Sequence, residues 1–284
     1  MTIIYLNGEY LAPENAKISI LDRGFRFGDG IFETISFYNK RLYQQQTHLN
    51  RLNKSLELVQ INFDIKKIPE ICESLIKQNN YSDGIIRVSI TRGEGNRGYM
   101  PSGDEKPTIV IESFPPPHVP KKAINLWLSG IQKISPLALP CNAKTSQGLN
   151  STLAKIDAAK HDCFDSILLG DKGQICECSS GNIFWFDENN ILHTPSLESG
   201  VLPGTIREAV LRLSPFETRK GVYSILSLKN AEEVFITNVA WKILPVAKLF
   251  PSRTNYTPSK RTQTLIELLE EDIRKDCSLS KEKN

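Results

Sequence analysis

Four prolines fall within six residues in the stretch FPPPHVPKK (114–122). Proline fixes φ and has no amide N–H, so this segment can continue neither a helix nor a central strand, and it stiffens what it connects. The chain therefore reads as a first domain over 1–117, a linker over 118–123 and a second domain over 124–284. The other reading is a rigid loop inside one domain. With 284 residues, 40% of them hydrophobic, the chain can bury a core without disulfide or metal staples.

Before the prolines, strands and helices mix. IIYL and EYL flank Asn7-Gly8, a pair that accepts the positive φ of a hairpin turn. The Gly-rich DRGFRFGDG (22–30) runs into the strand-like IFETISFY (31–38). Leu49, Leu52, Leu56 and Val59 recur at helical spacing over 47–59, and a second helix is expected over 66–79 with Pro69 in its first turn. IIRVSITRG (85–93) and TIVIESF (108–114) read as strands, which makes the first domain α+β. Beyond the prolines come a strand at 124–131, a helix over 147–162 and short strands over 165–194. A helix from Gly204 to about 213, strands at 234–238 and 243–250 and an amphipathic helix over 264–275 follow. The tail SLSKEKN is expected to be mobile.

Composition excludes several roles. The net charge is +3 with no recurring basic stripe, so nucleic-acid binding has no electrostatic footprint. No apolar run approaches the ~20 residues of a membrane span, and the N-terminal residues lack the pattern of a signal peptide. The six cysteines are scattered and read as reduced thiols of a cytoplasmic protein. Cys176 and Cys178 make a Cys-x-Cys without a second ligand pair. Strand alternation sets them opposite Glu177, so they read as small core residues and no metal is expected.

Three features carry chemistry. Glu177 is followed by Ser179, Ser180 and Gly181, which leave room against the backbone. An acid so placed can hold a proton on the ring nitrogen of a flat heterocycle, as proteins do for a pyridoxal cofactor. Otherwise it is an exposed acid at a strand end. Such a cofactor needs a lysine, and Lys144 lies in a small-residue loop with no charged residue within five positions, where desolvation activates an amine. It also needs a phosphate site. LPGTIREAVL (202–211) opens a helix at Gly204, with Thr205 and Ile206 offering N–H groups, and Arg51 on the 47–59 helix is a candidate cation.

Taken in order, these segments resemble the class IV aminotransferases, the fold-type IV pyridoxal-phosphate enzymes. That family includes branched-chain and D-amino acid aminotransferases and 4-amino-4-deoxychorismate lyases. The likeness rests on FGDGIFETI (27–35), HLNRL (48–52), Lys144, CECSSGNIFW (176–185), GVLPGTIRE (200–208) and TNVAWKILPV (237–246). It implies a two-domain α/β-mixed fold with a small N-terminal domain and a larger C-terminal cofactor domain. It further implies pyridoxal 5'-phosphate as cofactor, an amino-acid-like substrate and a homodimer that shares site residues. By the same resemblance Lys144 is the Schiff-base lysine, Glu177 pairs with the pyridine nitrogen, and Arg51 binds phosphate with Gly204, Thr205 and Ile206. Ser179, Ser180 and Asn238 line the cofactor, while Phe32 lies by the substrate. Arg26 is an additional cation beside the entry segment, which either binds a substrate carboxylate or sits in solvent.

The reaction leans toward the lyase. TRGEGNRGY (91–99) resembles the lyase-type RGxGxRGY loop, implying that Arg97 and Tyr99 bind a substrate carboxylate. Thr34 matches a threonine that lyases use to handle the proton beside the lysine. Gln147 departs from the asparagine common three residues after the lysine. The expected activity is conversion of 4-amino-4-deoxychorismate to 4-aminobenzoate and pyruvate. The alternative is a transaminase acting on D- or branched-chain amino acids.

Overall fold

A computed structural model describes residues 2–278; the expected mobility of the tail falls on residues largely outside that range. By its internal contacts the chain divides into two units.

The first unit holds residues up to 117 with 143–147 and the residues from 273 onward. Its elements are β1 (Ile4–Leu6), β2 (Glu9–Leu11), α1 (Arg23–Phe27), β3 (Gly30–Tyr38), β4 (Arg41–Leu42), α2 (Gln45–Leu58), α3 (Ile68–Asn79), β5 (Gly84–Thr91) and β6 (Thr108–Phe114). The strands form one antiparallel sheet in the order β2-β1-β6-β5-β3-β4. Asn7 (φ 48°) and Gly8 (φ 108°) turn the first hairpin. Alternation sends Ile31, Ile35 and Phe37 of β3 and Ile86, Val88 and Ile90 of β5 into a core with Leu52 and Leu56 of α2 and Leu75 of α3. Burying each such side chain contributes about 1.5–3 kcal/mol. The Gly-rich segment 22–30 contains a helix that the glycines hide. Asp22 caps α1 by accepting from Gly24 N, and Gly28 ends it at φ 65°.

The second unit holds 118–142 and 148–272. Its elements are β7 (Ile124–Leu128), α4 (Leu149–Lys160), β8 (Asp165–Leu169), β9 (Ile175–Cys178), β10 (Asn182–Phe186), β11 (Leu192–Pro195), α5 (Thr205–Leu213), β12 (Thr218–Gly221), α6 (Leu226–Lys229), β13 (Glu233–Asn238), β14 (Lys242–Phe250), β15 (Thr254–Asn255) and α7 (Lys260–Asp276), whose last turn belongs to the first unit. The sheet runs β12-β11-β10-β13-β14-β7-β8-β9, with β15 beside β14. Parallel pairs join β11 to β12, β14 to β7 and β7 to β8. β9 and β10 are buried at every position, and they bracket the turn that follows Glu177. α4 packs on β7 and β8, and α5 on β13.

Candidate active site

In the first unit, residues 144–146 line the edge of β3. Phe32 N donates to Lys144 O at 2.9 Å and Ser146 N to Gly30 O at 2.9 Å, around an Ile31–Thr145 bridge. Lys144 N donates to Ser55 Oγ of α2 at 3.2 Å. This pairing sets the Lys144 amine 4.3 Å from the Phe32 ring centroid. The Arg87 guanidinium sits 4.1 Å from the same ring. Thr34 follows Phe32 on the same face of β3 and pairs in register with Arg87 of β5.

The opposite face of β3 carries Glu33, fully buried with His48 and Arg51 of α2. His48 Nδ1 lies 2.5 Å from Glu33 Oε1, and Arg51 donates through Nε at 3.1 Å and through Nη2. Burial pushes the Glu33 carboxyl up, but Arg51 and His48 outweigh it and hold it at about 2. Burial pulls His48 below its ordinary value, more strongly than Glu33 raises it. Strand alternation points this acid at the helix that bears Arg51, and that is why the arginine is buried rather than solvated. Glu33 and His48 are buried partners of Arg51 that sequence reasoning missed, because the face of β3 on which Glu33 stands is what brings it to α2.

Arg26 is exposed and braces its own neighbourhood, donating to Ile20 O at 3.1 Å and Gly95 O at 3.4 Å. Arg97 is exposed and Tyr99 is 85% exposed. Their loop is anchored by the buried Arg23, which donates to Gly98 O at 3.0 Å and Tyr99 O at 2.6 Å. Gln147 Nε2 donates to Gly28 O at 2.6 Å.

In the second unit, Glu177 is buried and its carboxylate is held from three sides. Lys133 Nζ donates to Oε1 at 2.5 Å, while Asn182 Nδ2 and Leu202 N each donate to Oε2 at 3.1 Å. The partner Lys133 was not readable from the sequence. Its backbone N donates to Leu169 O at 2.9 Å, and Glu177 pairs with Leu168, so strand pairing alone brings the two together. Cys176 and Cys178 are buried thiols on either side. The turn after Glu177 is fastened to the buried Asp165, which accepts from the hydroxyls of Ser179 and Ser180 and lies 3.3 Å from Lys155 Nζ. Asn238 Nδ2 donates to Ser180 O. Gly181 is required because a Cβ there would lie 2.5 Å from Thr237 O.

α5 begins at Thr205 after Gly204, with no side-chain cap on its N-terminus. The first N–H groups of such a helix have no intrahelical partner. The Thr205 hydroxyl is buried without a hydrogen-bond partner among the described residues. A Cβ at Gly204 would lie 2.0 Å from Asn182 Oδ1, so the backbone closes directly on the residue that clamps Glu177.

A family model described as amino-transferase class IV matches residues 30–249, and the chain belongs to that family. It is 34% identical over 253 residues to a putative branched-chain-amino-acid aminotransferase of Methanocaldococcus jannaschii, covering 87% of each chain. It is 28% identical over 281 residues to the aminodeoxychorismate lyase of Bacillus subtilis, covering 96% of this chain and 95% of that one. Its fold is that of the branched-chain amino acid aminotransferase of Escherichia coli, with a TM-score of 0.88 at 26% identity over 99% of this chain and 96% of the other.

The family is one of pyridoxal-phosphate enzymes, and the residues present suit that cofactor. The uncapped start of α5 and the unpartnered Thr205 hydroxyl suit a phosphate. The carboxylate of Glu177, already committed to three donors, suits a protonated ring nitrogen.

Proposed function

We propose that the chain is an aminodeoxychorismate lyase, releasing pyruvate from 4-amino-4-deoxychorismate to leave 4-aminobenzoate, a folate precursor. The observation that carries this reading is Thr34. It is a small hydroxyl on the face of β3 shared with Phe32, whose ring lies 4.3 Å from the Lys144 amine. The 28% identity to the Bacillus subtilis lyase over nearly the full length of both chains supports it.

When bound, the cofactor supplies the electron sink for a carbanion at the carbon bearing the substrate amine. Lys144 would hold it covalently and, as a free amine, would accept the proton from that carbon. The bond between the ring carbon and the enolpyruvyl oxygen would then break with its electron pair leaving on that oxygen, the ring would become aromatic, and Thr34 would hand a proton to the departing enolate, which leaves as pyruvate. Glu177 keeps the ring nitrogen protonated. Thr205, Ile206 and Arg51 hold the phosphate, with Gly204 giving the backbone its close approach. Ser179, Ser180 and Asn238 shape the wall beside the ring. Arg97, Tyr99 and Arg26 serve substrate carboxylates, with Arg97 and Tyr99 reaching the partner protomer's site in a cytoplasmic homodimer.

A second reading is favoured by the 34% identity to the putative branched-chain-amino-acid aminotransferase. In it Lys144 would move the proton that it takes from the substrate carbon, and a keto acid of a D- or branched-chain amino acid would be released. The test is a side-by-side assay of the cofactor-loaded protein. The lyase reading expects 4-aminobenzoate from aminodeoxychorismate, abolished in Lys144→Ala and cut at least about tenfold in Thr34→Ala. Turnover of leucine or D-alanine with a keto acid, and no 4-aminobenzoate, would replace it with the second reading.

A further inference from the structure

Lys133 belongs to none of the motifs above, yet it is the cation closest to the working acid. Its Nζ lies 2.5 Å from Glu177 Oε1, and the two side chains are only 17% and 9% exposed. Asn182 and Leu202 occupy Oε2. A carboxylate has about four acceptor sites, so these three donors leave room for one more. Burial disfavours the ammonium of Lys133, but Glu177 outweighs it and raises Lys133 above its ordinary value, so the lysine stays charged.

We propose that Lys133 is a positioning residue, the standing counter-cation of Glu177. It holds the acid in place in the cofactor-free protein and shares it with the ring nitrogen in the loaded one. The inference rests on the reading that Glu177 serves the ring nitrogen. A buried carboxylate stripped of its cation is strongly destabilising. In the cofactor-free protein Lys133 is the cation that meets Glu177 at hydrogen-bond distance, while the buried Arg207 acts on it from farther away. In the loaded protein the protonated ring nitrogen supplies a second one. Removing Lys133 therefore harms the empty protein more than the loaded one, and by linkage the cofactor binds more tightly.

The experiment compares wild type, Lys133→Met, Lys133→Gln and Lys133→Arg, each cofactor-free and loaded with pyridoxal 5'-phosphate. Melting temperature and the cofactor dissociation constant, from a spectroscopic titration, are read for each. Lys133→Met should lower the melting temperature of the empty protein more than that of the loaded protein, and should tighten the dissociation constant on the order of tenfold. Lys133→Gln, which keeps a donor without the charge, should shift the same way if Lys133→Met does not fold. Lys133→Arg should match wild type. In a Lys133→Met background, Glu177→Gln should restore the melting of the empty protein. Equal losses in both states with an unchanged dissociation constant would reduce Lys133 to packing and overturn the proposal. Weaker cofactor binding would overturn it too, by placing Lys133 against the cofactor itself. A wild-type chain that takes up no cofactor would remove the underlying reading of the site along with the inference.

Discussion

At the scale of single residues, the buried Glu33–His48–Arg51 group gives the fold a defined acid sensitivity. Glu33 is held at about 2 against an ordinary 4.5, so its contribution to stability is present above pH 4.5 and is lost as the pH falls toward 2. His48 is depressed below its ordinary 6.5, so the unfolded chain takes up a proton that the folded chain resists. Its contribution is complete above pH 6.5 and declines below it. The melting temperature should therefore fall in two stages on acidification, the first from about pH 6.5 and the steeper from about pH 4.5. Glu33→Gln should make the second stage shallower, leaving the share of Asp29, Asp187 and Glu233, while lowering the plateau at neutral pH because Arg51 then lacks its carboxylate. Glu177 stood out in the sequence because an acid so close before three small residues is an unusual placement. Glu33 and Lys133 were not singled out, because what makes each matter is a partner fixed by strand register or by pairing between distant segments.

At the scale of elements, the strands and long helices were legible because their apolar residues repeat at the period of the element. The short α1 was hidden by its glycines, although Asp22 and Gly28 are ordinary start and stop residues for a helix. α2 depends on a distant residue for its start. Gln44, at its N-cap, has no side-chain cap of its own, and its N–H donates to Asp276 Oδ2 of α7 at 2.7 Å. Asp276→Ala should cost about 1 kcal/mol in a denaturant melt. For α5 the essential feature is the bare N-terminus. Gly204→Ala would press a methyl group onto Asn182, and so should weaken both the proposed phosphate site and the clamp on Glu177. A cofactor titration should show at least about a tenfold loss of affinity, and an unchanged affinity would move the phosphate elsewhere.

At the scale of the whole molecule, the proline stretch marks where the first long unit stops, because that is a local property of the backbone. The return of residues 143–147 to the first unit was not visible, because it is made by edge pairing with β3 and not by any local pattern. That return is what gives Lys144 its surroundings. The proposed sharing of Arg97 between protomers has its own test. Mixing Lys144→Ala and Arg97→Ala protomers should restore roughly a quarter of wild-type activity, since one site in each mixed dimer regains both residues. No recovery would confine Arg97 to its own protomer. Lys144 is the proposed carrier of the cofactor. Borohydride reduction of the loaded protein, followed by peptide mapping, tests it most directly. A pyridoxyl group should be found fixed on Lys144 and none on Lys133; label on Lys133 would overturn the roles proposed for both lysines.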